Sequence, residues 1–171
     1  MKLNMKSVTT ALDVLLIQKE DTWDQCNWIV PLSKALEGLT AEQAAWIPPS
    51  GGLSIWQLVN HMYYYNQRIL DRLQDKTPSM PAADSNVATF GISGDPLNEA
   101  GWSKLMEHTT KLAEQLRDTL ATLQEAKLEE AYMDSEQNWA QTLARWVLHD
   151  AYHAGQIVQL RRQQGCWSIV F

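Results

Sequence analysis

The chain has 171 residues, of which 45% are hydrophobic and 20% charged, enough for a single globular domain with a buried core. No apolar run reaches the ~18 residues that a membrane-spanning helix needs, so no membrane partner is expected. A net charge of −6 repels phosphate backbones and argues against a nucleic-acid partner.

Lys2 and Lys6 lie in a stretch from Met1 to Leu16 that lacks a sustained apolar core, so no secretory leader is read there and a cytoplasmic protein is expected. Cys26 and Cys166 are far apart, in no metal-like spacing, and read as free thiols. The eight tryptophans are expected mostly in the core or at an interface, with some at the rim of a pocket.

Helical periodicity runs through the chain. Apolar residues at 8, 12, 15, 16, 23, 28, 29, 32 and 36 predict a helix over 7–37, bent near Pro31, with Gly38 as its cap. Thr40 and Gln43 have the spacing of a capping box and start a short helix that ends before Pro48-Pro49. Ser54 caps a long helix over 55–74, whose stripe is Ile55, Leu58, Met62, Tyr65, Ile69 and Leu73. The Pro-, Ser-, Gly- and Asp-rich stretch 75–96 is a long loop of the kind that carries function or specificity. A third long helix over 97–125 turns Leu105, Leu112, Leu116, Leu120 and Leu123 inward, and a polar connection follows over 126–138. A fourth long helix over 139–164 ends at Gly165, and the apolar tail Cys166–Phe171 needs burial on its own fold or on a second chain. Four long amphipathic helices without strand periodicity predict an all-α bundle.

The four histidines carry the functional signal. His149 and His153 are four residues apart, hence on one helix face a turn apart. The stripe Thr142, Trp146, His149, His153, Ile157, Leu160 turns that face inward, and His61, between Leu58 and Tyr65, also faces the core. Three buried imidazoles are costly unless satisfied, and one metal ion satisfies all three. Three histidines with an open fourth position is a catalytic rather than a structural arrangement. Spacing alone leaves this balanced against hydrogen-bonded core histidines. His108, on the third long helix, is expected in solvent.

Asp150 is a possible outer partner of His149, but one residue off its face, so it reads rather as a solvated or lysine-paired carboxylate. Tyr152 and Tyr63-Tyr64-Tyr65 offer phenols, Tyr65 being best placed for a catalytic role, with core packing as the alternative. Gly155 is expected to permit a close helix approach, Gln156 to contact a partner helix, and Asn60 to point away from the site.

The string His149-Asp-Ala-Tyr-His153-Ala-Gly-Gln-Ile157 resembles the C-terminal signature of the DinB-like superfamily, which includes the YfiT-like proteins. Leu36-Glu-Gly-Leu-Thr-Ala-Glu-Gln-Ala-Ala-Trp-Ile-Pro48 and Leu53-Ser-Ile-Trp-Gln-Leu-Val-Asn-His61-Met resemble the same family, in the same order. The resemblance implies one domain over 1–171, a four-helix bundle with up-down-down-up connectivity and often a homodimer. It implies a divalent transition metal, commonly nickel or zinc, on His61, His149 and His153. It also implies metal-dependent chemistry on a small-molecule substrate, such as transfer of a low-molecular-weight thiol to an electrophile or thiol-dependent isomerisation. Hydrolysis by metal-bound water and a non-catalytic, metal-stabilised stress-response or interaction bundle are the alternatives.

Overall fold

A computed structural model describes residues 8–168 of the chain. The expected helix start at residue 7 and the end of the apolar tail, Ile169–Phe171, lie outside the described residues. Among these the fold is all-α, with six α-helices: α1 (Ala11–Trp23), α2 (Leu32–Leu36), α3 (Ala41–Ala45), α4 (Ile55–Leu73), α5 (Glu99–Thr122) and α6 (Trp139–Gln163). Two 3-10 turns, Val87–Phe90 and Glu125–Glu129, lie in the long connections.

The expected helix over 7–37 is two helices, not one bent one. α1 stops at Trp23, and residues 24–31 are non-helical before α2 begins behind Pro31. Pro31 has no N–H to continue the ladder and disfavours helical backbone at Val30. Polar side chains reinforce the break: the Asn27 amide donates to Asp21 Oδ1 at 2.6 Å.

Elsewhere the local chemistry sets the boundaries. Capping boxes open α1 at Thr10, α3 at Thr40, α4 at Ser54 and α6 at Asn138, each satisfying backbone donors that would otherwise be orphaned. Gly38 and Gly165, at φ +71° and +69°, follow the C-caps of α2 and α6.

α4 packs on α5, α5 on α1, α1 on α6 and α6 on α4, so the four longest helices close a ring. Its interior is layered. At one end Leu36, Ile55, Leu58, Met62, Trp102 and Ile157 form an apolar cluster with α2 and α3. At the other, Leu15, Leu70, Leu116, Leu120, Leu143 and Trp146 form a second. Among the buried polar residues, Lys19, Asn66, Thr109, Asp150 and His153 fall in sequence between the two sets on their helices, and His61 lies just inside the first set, between Val59 and Met62. A polar layer inside a ring of helices is costly unless its members satisfy one another, and its centre is the histidine cluster.

Not every aromatic is interior. Trp102, Trp139 and Trp146 are buried, whereas Trp28, in the break between α1 and α2, is fully exposed. Gly155 is exposed as well, and a Cβ there would meet no atom within 4 Å, so close helix approach is not its role. The tight approach is at Gly94, where a Cβ would sit 2.6 Å from the Trp56 ring and φ is +94°. This lets the 75–96 loop lie against α4.

Candidate metal centre

α4 contributes His61 from its second turn, and α6 contributes His149 and His153 from consecutive turns. Their ligand atoms converge: His61 Nε2 lies 2.9 Å from His149 Nε2, and His153 Nε2 lies 3.1 Å from the same atom. The three form a group able to hold a metal ion. His61 and His153 are 3% and 6% exposed, while the His149 side chain is 29% exposed, so the cluster meets solvent along His149. His108 is exposed and beside Tyr63, at a ring separation of 6.4 Å.

The outward-facing nitrogens decide what the inward-facing ones can do. His61 Nδ1 lies 2.5 Å from the Thr89 hydroxyl, which itself donates to the Asn86 carbonyl at 2.6 Å. The hydroxyl proton is thus committed, and Thr89 Oγ1 accepts from His61 Nδ1–H. His153 Nδ1 lies 2.7 Å from Gln156 Oε1, an acceptor whose amide nitrogen donates to Tyr152 Oη at 3.1 Å. His149 Nδ1 faces Asp150 Oδ1 at 3.5 Å, longer than an ordinary hydrogen bond but oriented by the carboxylate charge. The acceptors behind His61 and His153 favour the Nδ1–H tautomer, the Asp150 carboxylate favours it for His149, and in that form the three Nε2 lone pairs face one another. Such an arrangement is repulsive on its own and complementary to a cation. Tetrahedral bonds of ~2.0–2.1 Å separate donors by ~3.3 Å, close to the spacing found. The donor set thus fits a divalent transition metal, and imidazole suits zinc, nickel, copper and iron alike.

Electrostatics agree. Burial, reinforced by the neighbouring imidazoles His149 and His153, pushes the pKa of His61 down to about 4. Burial lowers that of His153 as well, against the opposing hydrogen bond to Gln156. Neutral imidazole is the form that ligates metal.

Asp150 is not solvated. It is 1% exposed, pairs with Lys19 Nζ at 2.9 Å and accepts from the Asn66 amide at 3.2 Å. The Trp146 indole N–H donates to Asn66 Oδ1, and Lys19 stands 4.4 Å from the Trp146 ring centroid. Desolvation pushes the Asp150 carboxyl up, but Lys19 and His149 outweigh it and the net shift is down. Asp150 is therefore both lysine-paired and the residue behind His149.

Several members were not legible from spacing. Thr89 and Phe90 come from the 75–96 loop, and Phe90 stacks on His61 at 3.9 Å with a 3° interplanar angle. Asn60 takes part too: its amide donates to the Phe90 carbonyl at 3.3 Å and tethers that turn. Gln156 contacts its own helix neighbours rather than another helix. Tyr65 lies 5.0 Å from His61 and 5.7 Å from His149 between ring centroids, with its hydroxyl donating to Asn86 Oδ1 at 2.9 Å. Tyr64 instead anchors the loop through Pro81 and Ala83.

A family model described as the DinB superfamily matches residues 31–157, about three quarters of the chain. The chain belongs to the DinB superfamily. The match takes in the three cluster histidines of this DinB protein, together with Thr89, Asp150 and Gln156. No curated protein and no solved structure matches it. Among the described residues no helix is long and apolar enough to cross a membrane.

Proposed function

We propose that this DinB protein binds one divalent transition metal, nickel or zinc, through His61, His149 and His153. We further propose that it uses the centre for chemistry on a small molecule, with transfer of a low-molecular-weight thiol to an electrophile as the reaction. The observation that carries the reading is the convergence of three Nε2 atoms, with hydrogen-bond acceptors behind His61 and His153 and a carboxylate behind His149. A divalent metal held there supplies Lewis acidity and lowers the pKa of a thiol or water that reaches it.

The chain's own residues do the rest. His149 forms the accessible edge by which a small molecule arrives. Phe90 covers His61 and excludes water from that side. Burial raises the pKa of Tyr65, and its one phenolic proton is engaged by Asn86 Oδ1, so it donates to a leaving or developing anion only on release of that hydrogen bond. Among the described residues no serine or cysteine is hydrogen-bonded to a cluster histidine, and Thr89, which is, commits its proton to the Asn86 carbonyl, so this reading takes the nucleophile from the bound small molecule.

The proposal extends to a single domain over the whole chain, a four-helix bundle with up-down-down-up connectivity, and a homodimer. Exposed apolar residues on α1 (Val14, Ile17) and α6 (Leu148, Tyr152) support a self-association surface.

The test is an assay of metal-loaded protein with a panel of small thiols and a generic electrophile, against the His61→Ala, His149→Ala, His153→Ala triple variant. A thiol-dependent rate above that control is expected. A rate with esters or amides in water alone would replace transfer by hydrolysis. No rate with either would leave the non-catalytic metal-stabilised bundle.

A further inference from the structure

Beside the histidine cluster lies a cavity of about 350 Å³ that none of the three histidines lines. It begins where the cluster ends, because Tyr65 and Thr89 belong to its wall and both touch His61. From there it follows one face of α4. His61, Tyr65, Arg68 and Arg72 are separated by four, three and four residues, so a single stripe leads from imidazole to phenol to two guanidiniums. The opposite wall is Ser85, Asn86 and Tyr132.

The two arginines are unusual for where they are. The protein is acidic overall, yet among the described residues neither guanidinium forms an ion pair. Asp71, on the same helix, is engaged instead with Ser79 and Gln67. Each guanidinium makes one hydrogen bond: Arg68 to the Met80 carbonyl at 2.6 Å and Arg72 to the Tyr132 hydroxyl at 3.0 Å. Most of the five N–H donors on each remain unassigned. Both are held in place against aromatic rings, Arg68 5.4 Å from Tyr64 and Arg72 5.5 Å from Tyr132. A fixed, half-buried guanidinium with free donors and no counter-ion is preorganised for a carboxylate or phosphate.

We propose that this groove is an anion subsite, in which Arg68 and Arg72 seat the carboxylate or phosphate tail of the small molecule whose reactive end meets the three histidines. The inference rests on the metal-centre reading for that reactive end, but not for the anion itself. Along α4, His61 and Arg68 are separated by ~10 Å of helix axis, which sets the length of molecule that reaches both. The substrate class is therefore an elongated monoanion or dianion with its reactive group at the far end from the charge, not a compact neutral electrophile.

Calorimetric titration of the metal-loaded protein tests this with five probes: hexanoate, hexyl phosphate, hexanol, 6-mercaptohexanoate and 6-mercaptohexanol. At least one of the two simple anions is expected to bind at least tenfold more tightly than hexanol, and the tighter of the two names the group. The preference is expected to vanish in Arg68→Met/Arg72→Met. It should also vanish in Ala83→Glu, which sets a carboxylate at the exposed rim of the same cavity without touching either arginine. Anions that bind no better than hexanol, or a preference that survives in Ala83→Glu, would overturn the subsite. If the anions behave as expected but 6-mercaptohexanoate binds no more tightly than hexanoate, the subsite stands and the thiol reading falls.

Discussion

His61 is chemically defined less by its neighbours on α4 than by a threonine in a loop. The Thr89 hydroxyl commits its own proton to Asn86 and so fixes the imidazole tautomer. Thr89→Val is therefore expected to weaken metal binding by about 10- to 100-fold while leaving the helical fold intact, because partners behind a ligand tune its orientation and basicity. Competition against a chromophoric chelator measures it, and an unchanged affinity would argue that Thr89 merely packs. The pKa of His61 near 4 also has a thermodynamic consequence. An unfolded histidine titrates near ~6.5, so above that pH neither state takes up a proton at this site. Below it the unfolded chain gains protons that the fold refuses, and stability falls until pH approaches 4. His153 shifts in the same direction. The chelated, metal-free protein should lose urea resistance progressively from pH 6.5 toward 4, and His61→Gln should lose less across that range. A midpoint that is flat in this window would be inconsistent with neutral, buried imidazoles.

At the scale of elements, the helices that carry the site were readable from sequence because their apolar stripes keep the 3.6-residue period. Expected spans of 55–74 and 139–164 correspond to Ile55–Leu73 and Trp139–Gln163. The inward direction of His61, His149 and His153 was readable for the same reason. The break after Trp23 was not, since apolar residues continue at 28, 29 and 32 while the backbone leaves the helix well before Pro31, which only keeps it from resuming until α2. Lys19 was equally hidden. A lysine on an amphipathic helix is ordinarily read as solvent-facing, and only packing of α1 on α6 brings it to Asp150. Thr89 and Phe90 lie in a stretch without periodicity, so no spacing argument could bring them to His61. The buried pair gives a test of this layer. Lys19→Met leaves the Asp150 carboxylate without its cation and is expected to cost about 3–5 kcal/mol in denaturant unfolding. Adding Asp150→Leu should recover much of that loss, since the uncompensated charge goes too. A single variant as stable as wild type would mean that the pair is solvated in solution.

Taken as a whole, the molecule sandwiches a polar layer between two apolar clusters. That layer holds three imidazoles, one ion pair and the amide and indole that complete it. The clusters fix the helices, and the acceptors behind the rings favour the tautomer that turns the three Nε2 atoms toward one another. The most direct test of this account is the metal content of tag-free protein purified from metal-replete cells. About one transition-metal ion per chain is expected for the wild type, and none for the His61→Ala, His149→Ala, His153→Ala variant. A correctly folded, metal-free wild type that also fails to take up nickel or zinc on reconstitution would contradict it.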